Sequence, residues 1–166
     1  MKETLHRLFR YKAWANDALL TSLDRLDERA PVIELAVKAL SHSYAVDRIF
    51  AAHLRRTDHG YRSANPFEAP SLKMLSADIR ASDQEYVGYV SELENGELAD
   101  QIDFTFTDGA PGRMSREEML LHVIAHGVGH RGQVSAVMLL NSVPPPMDGF
   151  TTFLHQAEAA TRRRAA

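Results

Sequence analysis

Apolar side chains recur every three or four residues in four long segments of this chain, and that rhythm restricts it to packed helices. From Lys2 to Leu26 they fall at Leu5, Leu8, Phe9, Trp14, Ala15, Leu19, Leu20 and Leu23. A second segment opens after Pro31 and sets Leu35, Ala39, His42, Val46, Ile49 and His53 on one inward stripe, as in a bundle seam. After a connection through Asn65, Pro66 and Pro70, a third runs along Leu72, Leu75, Ile79, Ser82, Tyr86, Tyr89 and Leu93 and ends near Gly96. The fourth, Met119 to Leu140, follows Ser115 and Glu118, the two members of a capping box, and is stopped by the prolines of VPPP.

Between the third and fourth segments the period changes. QIDFTFTDGAPGRMS alternates Ile102, Phe104 and Phe106 with polar residues before Asp108-Gly109, which predicts a short strand and turn. FTTFLHQAEAATRRR predicts a short terminal helix with a basic tail, Arg162 to Arg164. The expected fold is all-α: a four-helix bundle with a long crossover carrying a short hairpin or extended segment, plus a short C-terminal helix. At 166 residues the chain has enough length for one core, and residues 1–166 read as a single domain.

A net charge of −3 gives no general attraction to phosphate backbones or anionic membranes, so no nucleic-acid or membrane partner is expected. No apolar run approaches the roughly 20 residues of a membrane span. MKETLHRLFRYKAWAN is amphipathic and charged rather than a signal peptide, so a cytoplasmic location is the default expectation. The absence of cysteine removes disulfides, thiolate ligands and a cysteine nucleophile, so any sulfur chemistry needs an external thiol.

The chemistry-bearing stretch is HVIAHGVGHRGQ, where His122, His126 and His130 recur at four-residue intervals with Gly127, Gly129 and Gly132 among them. Residues four apart on a helix are about 40° apart and rise about 6 Å, so adjacent members can share an ion, whereas His122 and His130 cannot. Measured from the centre of the apolar stripe, His130 lies about 30° away, His126 about 70° and His122 about 110°, which turns the first two inward. An isolated H-x-x-x-H pair is more often a hydrogen-bonded pair of core residues than a metal site. His42 alters that balance, because burying three imidazoles without a common partner incurs several desolvation costs that a shared cation removes. Three histidines also leave coordination positions open, as catalytic metal sites do. Each helical glycine costs about 1 kcal/mol relative to alanine. Their expected use is to let a neighbouring helix, a water or a substrate come close, with helix packing an equally good reason for Gly132. The motif is not a zincin's, because Gly127 stands where H-E-x-x-H carries its general base.

Taken together, YKAWAND (Tyr11 to Asp17), LSHSYAVDRIF (Leu40 to Phe50), DGAPGRMSREEMLLHVIAHGVGHRGQ (Asp108 to Gln133) and VPPP resemble the DinB family of DinB/YfiT-like metalloenzymes. The resemblance implies a four-helix bundle, commonly a homodimer, with a divalent metal, zinc or nickel, held by His42, His126 and His130. It also implies chemistry of low-molecular-weight thiols, as in relatives that act as thiol-dependent isomerases or transferases. Two positions depart from the family pattern. Gly129 replaces a common aromatic residue, implying a wider pocket, and Ala125 replaces a common asparagine, removing any contact from that position to a ligand.

Asp47, Asn16 and Asp17 are candidates to orient a histidine, although an exposed or helix-stabilising role suits each better. Arg131 is a candidate clamp for a carboxylate substrate or a structural ion-pair partner. Trp14, Tyr44 and Phe50 are expected in the core, Tyr44 also being a candidate pocket hydroxyl, while His6, His53, His59 and His155 need no function. The functional expectation is a metal-dependent enzyme that delivers an external thiol to a small electrophile, of S-transferase or isomerase type. The alternatives are a non-catalytic metal-binding stress-related protein and a metal-dependent hydrolase, for which the sequence names no base.

Overall fold

The computed structural model describes residues 1–65 and 70–162. Pro66 of the expected connection, and Arg163 and Arg164 of the basic tail, lie outside the described residues. The long helices are α1 (Lys2–Leu23), α2 (Pro31–Arg55), α3 (Leu72–Glu92) and α4 (Arg116–Leu140). Round the bundle, α1 packs on α3 and α4, and α2 on the same two, so α1 and α2 stand diagonally opposed. Pro31 opens α2 at a position where its missing N–H costs nothing. Ser115 caps α4, accepting from the Glu118 N–H while the Glu118 carboxylate accepts from the Ser115 N–H.

The crossover begins with a 3-10 turn, Asn95–Ala99, which the apolar rhythm did not announce. The strands β1 (Gln101–Thr105) and β2 (Pro111–Ser115) then pair antiparallel, with Phe104 opposite Gly112. Arg116 ties this unit to the bundle by donating to the carbonyls of Glu97 and Leu54. Two short helices, α5 (Phe150–Ala157) and α6 (Ala159–Arg162), end the described chain, and Phe150 and Phe153 pack on Tyr11 and Trp14 of α1.

The core is divided. Towards the hairpin lie Leu5, Phe9, Ile49, Phe50, Tyr86, Val90, Ile102, Met119, Leu120 and Val123, with the Phe9 and Tyr86 rings stacked at 4.9 Å. Towards the other end lie Leu19, Leu23, Ile33, Val37, Leu40, Leu75, Ile79, Val134 and Met138. Between them, each long helix contributes buried polar residues at one level: Lys12 and Asn16, Ser43 and Asp47, Ser82 and Asp83, and Arg131.

One stripe residue departs from expectation. Leu35 is 50% exposed, although it lies five full turns before His53 and on the same line of α2. The hairpin covers that line at the His53 end and nothing described covers it at the Leu35 end, so direction alone did not secure burial.

Candidate metal centre

His42 reaches inward from α2, and His126 and His130 from successive turns of α4. One ring nitrogen from each lies within 4.8 Å of the other two. The Nε2 atoms of His126 and His130 are 3.2 Å apart. Two nitrogens held about 2.1 Å from one tetrahedral ion stand about 3.4 Å apart, so this pair already has the spacing of a chelate. His42 Nδ1 lies 3.0 Å from the Ala64 carbonyl; donating there fixes the tautomer and leaves Nε2 as a lone-pair donor. His122 is exposed at the edge and stands outside the trio, as its wheel position requires.

Two of the donors, His126 and His130, are held neutral. Burial lowers the His126 pKa to about 4, with further lowering from His130, His42, His122 and Lys12. Burial and then His42 lower that of His130. The Nδ1 atoms of His126 and His130 are buried without a hydrogen-bond partner among the described residues, and Ala125 is exposed, so that position offers them nothing. Three convergent imidazoles with no carboxylate among them could hold one divalent ion, and they fit a borderline transition metal better than an all-oxygen cation.

Behind the trio runs the charged layer. The Lys12 ammonium donates to Asp47 at 2.7 Å and to Asp83 at 2.6 Å, all three side chains being buried. Asn16 donates to Asp83 at 2.8 Å and accepts from Arg131, which also pairs with Asp148 at 2.7 Å. Tyr11 donates to Asp148 at 2.6 Å. The two carboxylates hold the Lys12 pKa above its ordinary value against burial. The Asp47 carboxyl is pushed up to about 6 chiefly by burial, against the pull of Lys12.

This layer revises several sequence expectations. Asp47 and Asn16 neither are exposed nor orient a histidine; both are buried in the charged layer. Asp17 is a surface partner of Arg80, at 2.8 Å. Arg131 is only 1% exposed and fully engaged, so it is a structural ion-pair partner and not a clamp for substrate. Gly127 admits the Lys12 stem, because a Cβ there would stand 3.2 Å from Lys12 Cε. Gly129 and Gly132 admit nothing: both are exposed, and a Cβ on either would meet no atom within 4 Å. Neither glycine is needed for a close helix contact within the chain.

An apolar cavity of about 410 Å³ opens beside the trio. His42, Val46, Ile49, Phe50 and His53 line it from α2, Phe104, Phe106, Thr107 and Met114 from the hairpin, and His122 and His126 from α4, with Ala64 between. Phe50 is thus a wall of this cavity as well as a core residue, whereas Tyr44 is not in its lining. His53 and His122, both outside the trio, have pKa values lowered by burial, His53 also by His59. A broader depression of about 600 Å³ between α1, α3 and Phe153 holds His6 and Trp14 but no member of the trio.

The DinB family model matches residues 1–164. The chain belongs to the DinB family. A comparison with curated proteins finds no match. Family membership agrees with the helical bundle and with a three-histidine group able to bind a metal. No described helix of this DinB-family chain is long and apolar enough to cross a membrane.

Sequence reasoning passed over Lys12, Asp83 and Asp148. The first two lie within the apolar stripes of their helices, Lys12 seven residues from both Leu5 and Leu19 and Asp83 seven from Val90, so a charge on an inward line was the available signal; Asp148 follows the prolines, beyond any periodic signal. His53 was set aside as needing no function although it shares the His42 stripe, and that shared line was the available clue.

Proposed function

We propose that this DinB-family chain is a metal-dependent enzyme in which His42, His126 and His130 hold one divalent transition ion, zinc or nickel, and an external low-molecular-weight thiol is delivered to a small electrophile. The observation that carries the reading is the convergence of three imidazoles beside an apolar cavity. When bound, the ion supplies a Lewis acid whose charge no ligand neutralises, able to lower the pKa of a thiol or water. The chain's own residues do the rest. His42 is oriented by the Ala64 carbonyl, and burial keeps His126 and His130 deprotonated at neutral pH. The apolar walls from Val46 to Met114 offer the reacting groups few polar neighbours. The reaction type is S-transfer or thiol-assisted isomerisation, the thiol being external because the chain has no cysteine.

A hydrolytic reading gains support from His122, a non-ligand imidazole in the cavity lining whose ring lies 5.6 Å from that of His126, as a base that the sequence alone did not name. We also propose a cytoplasmic homodimer formed through the outer face of α4. From Met119 to Leu140 the only charged residue is Arg131, which is buried, and Leu121, Ala125, Val128, Gly132, Leu139 and Leu140 are exposed. The decisive experiment combines elemental analysis of untagged protein with electrophile consumption in the presence of cysteine, glutathione and bulkier natural thiols. It is run on metal-loaded protein, metal-free protein and His130→Ala. Metal- and thiol-dependent turnover supports the enzyme reading, turnover without thiol the hydrolase, and metal binding without turnover a non-catalytic metal-binding role in stress.

A further inference from the structure

The cavity beside the histidines has a shape and a chemistry of its own. Its α2 wall runs from His42 to His53, eleven residues or about 16 Å of helix rise. A volume of about 410 Å³ spread along that length makes a groove with the trio at one end and His53 at the other. No lysine, arginine, aspartate or glutamate is among its described lining residues. On α4, Arg131 is consumed by Asp148 and Asn16 and Arg116 by the Leu54 and Glu97 carbonyls, and Arg113 on the hairpin pairs outward with Asp103 at 2.6 Å.

The opposite wall is built for apolar contact. Phe104 and Phe106 meet edge to face at 4.8 Å, and Phe104 stands 6.2 Å from Phe50 and 4.8 Å from His53. These rings hold their places because the partner of Phe104 across the hairpin is a glycine. A Cβ on Gly112 would fall 2.5 Å from one Phe104 carbon and 2.9 Å from one of Phe106. The hairpin thus gives up a side chain on β2 so that two aromatic rings can lie over it and face the groove.

We infer that the groove is the binding site for an uncharged, elongated hydrocarbon or aromatic group, whose polar head lies at the histidine end and whose far end reaches His53 without carrying a charge. The inference rests on the reading that the trio is the reactive end. It disfavours electrophiles with a carboxylate at each end, since no described lining residue of the groove is a cation, and Arg56 lies beyond His53 in a separate depression with Thr57, Gln101 and Asp103. Phe104 and Phe106 set the specificity.

The test uses straight-chain 1-alkanols from butanol to octanol, with 8-hydroxyoctanoate as the charged counterpart. Binding is measured by calorimetry at pH 8 on the full chain, metal-free and zinc-loaded. Each added methylene should tighten binding about fourfold, and 8-hydroxyoctanoate should bind at least tenfold more weakly than octanol. Phe104→Ala and Phe106→Ala should flatten the chain-length dependence, while Trp14→Ala, in the broader depression, should leave it intact. Phe106 is 46% exposed, so its variant should fold even if Phe104→Ala does not, and circular dichroism checks both. Affinity independent of chain length, equal binding of the hydroxy acid, or loss of binding in Trp14→Ala alone would overturn the inference. Metal content is measured separately on every variant. Alkanol binding in the metal-free chain requires no ion, so failure of the groove and failure of the metal centre give different results.

Discussion

Replacing Lys12 by Met tests whether the charged layer is a structural necessity of the bundle. Methionine keeps an unbranched stem to lie against Gly127 and removes only the ammonium. That ammonium serves Asp47 at 2.7 Å and Asp83 at 2.6 Å, carboxylates only 3% and 2% exposed. Breaking a buried ion pair by removing one partner costs about 3–5 kcal/mol, because the other charge stays behind unpaired. For a domain of this size each kcal/mol moves Tm by about 2–4 °C, so the drop should be roughly 6–20 °C. The loss should depend on pH. Asp47 already has a folded pKa of about 6 against an ordinary 3.8, so its contribution to stability is present below pH 4 and is lost as pH rises through 6. Without Lys12 that loss deepens, and the deficit of the variant should be larger at pH 8 than at pH 5. The assay is thermal unfolding of metal-free wild type and variant, followed by circular dichroism at both pH values. A Tm drop under about 2 °C at pH 8, or equal deficits at the two pH values, would refute the account.

Alanine at His42, His126 or His130 should abolish binding of about one metal per chain, while His122→Ala should retain it; elemental analysis of the four variants decides. In the metal-free protein, His53, His122, His126 and His130 all titrate below the ordinary imidazole value. Their stabilisation is therefore complete above pH 6.5 and is lost as pH falls, over the widest window, 6.5 to about 4, for His126. Urea unfolding at pH 4.5, 5.5 and 6.5 should show a shallower decline in His126→Ala than in wild type. Gly129→Ala should stabilise an isolated protomer by about 1 kcal/mol, since it gains helix propensity and meets nothing. Gly127→Ala should gain nothing net, because its Cβ displaces Lys12; chemical denaturation at low protein concentration separates the two.

The helices and hairpin were legible because each announces itself locally: a three-and-four rhythm, a capping box at Ser115, a change to alternation at Ile102 and a proline stop. The trio was legible because four-residue spacing fixes which rings share a face, and His42 lay on an apolar stripe. The pairing of the charged layer was not legible: Lys12 and Asp83 lie on inward lines of their helices, but the partners of Lys12 sit on other helices, 35 and 71 residues away. The purpose of Gly112 was equally hidden: it lies in the ring that crosses it from the other strand. Leu35 shows the converse, a correct helical face left uncovered because no described element extends that far.

The charged layer also bears on how the helices find one another. Its members come from residues 12, 16, 47, 83, 131 and 148, so it closes only when all four helices and the segment before α5 have docked. Sliding any one helix by a single residue turns its side chains by about 100° and shifts them by about 1.5 Å, which moves a charge into hydrocarbon. Apolar seams alone discriminate poorly among such neighbouring alignments, because one leucine substitutes readily for the next. The layer penalises alignments that hydrophobic burial alone would accept, and the alignment in which it closes is the one that brings His42 to face His126 and His130.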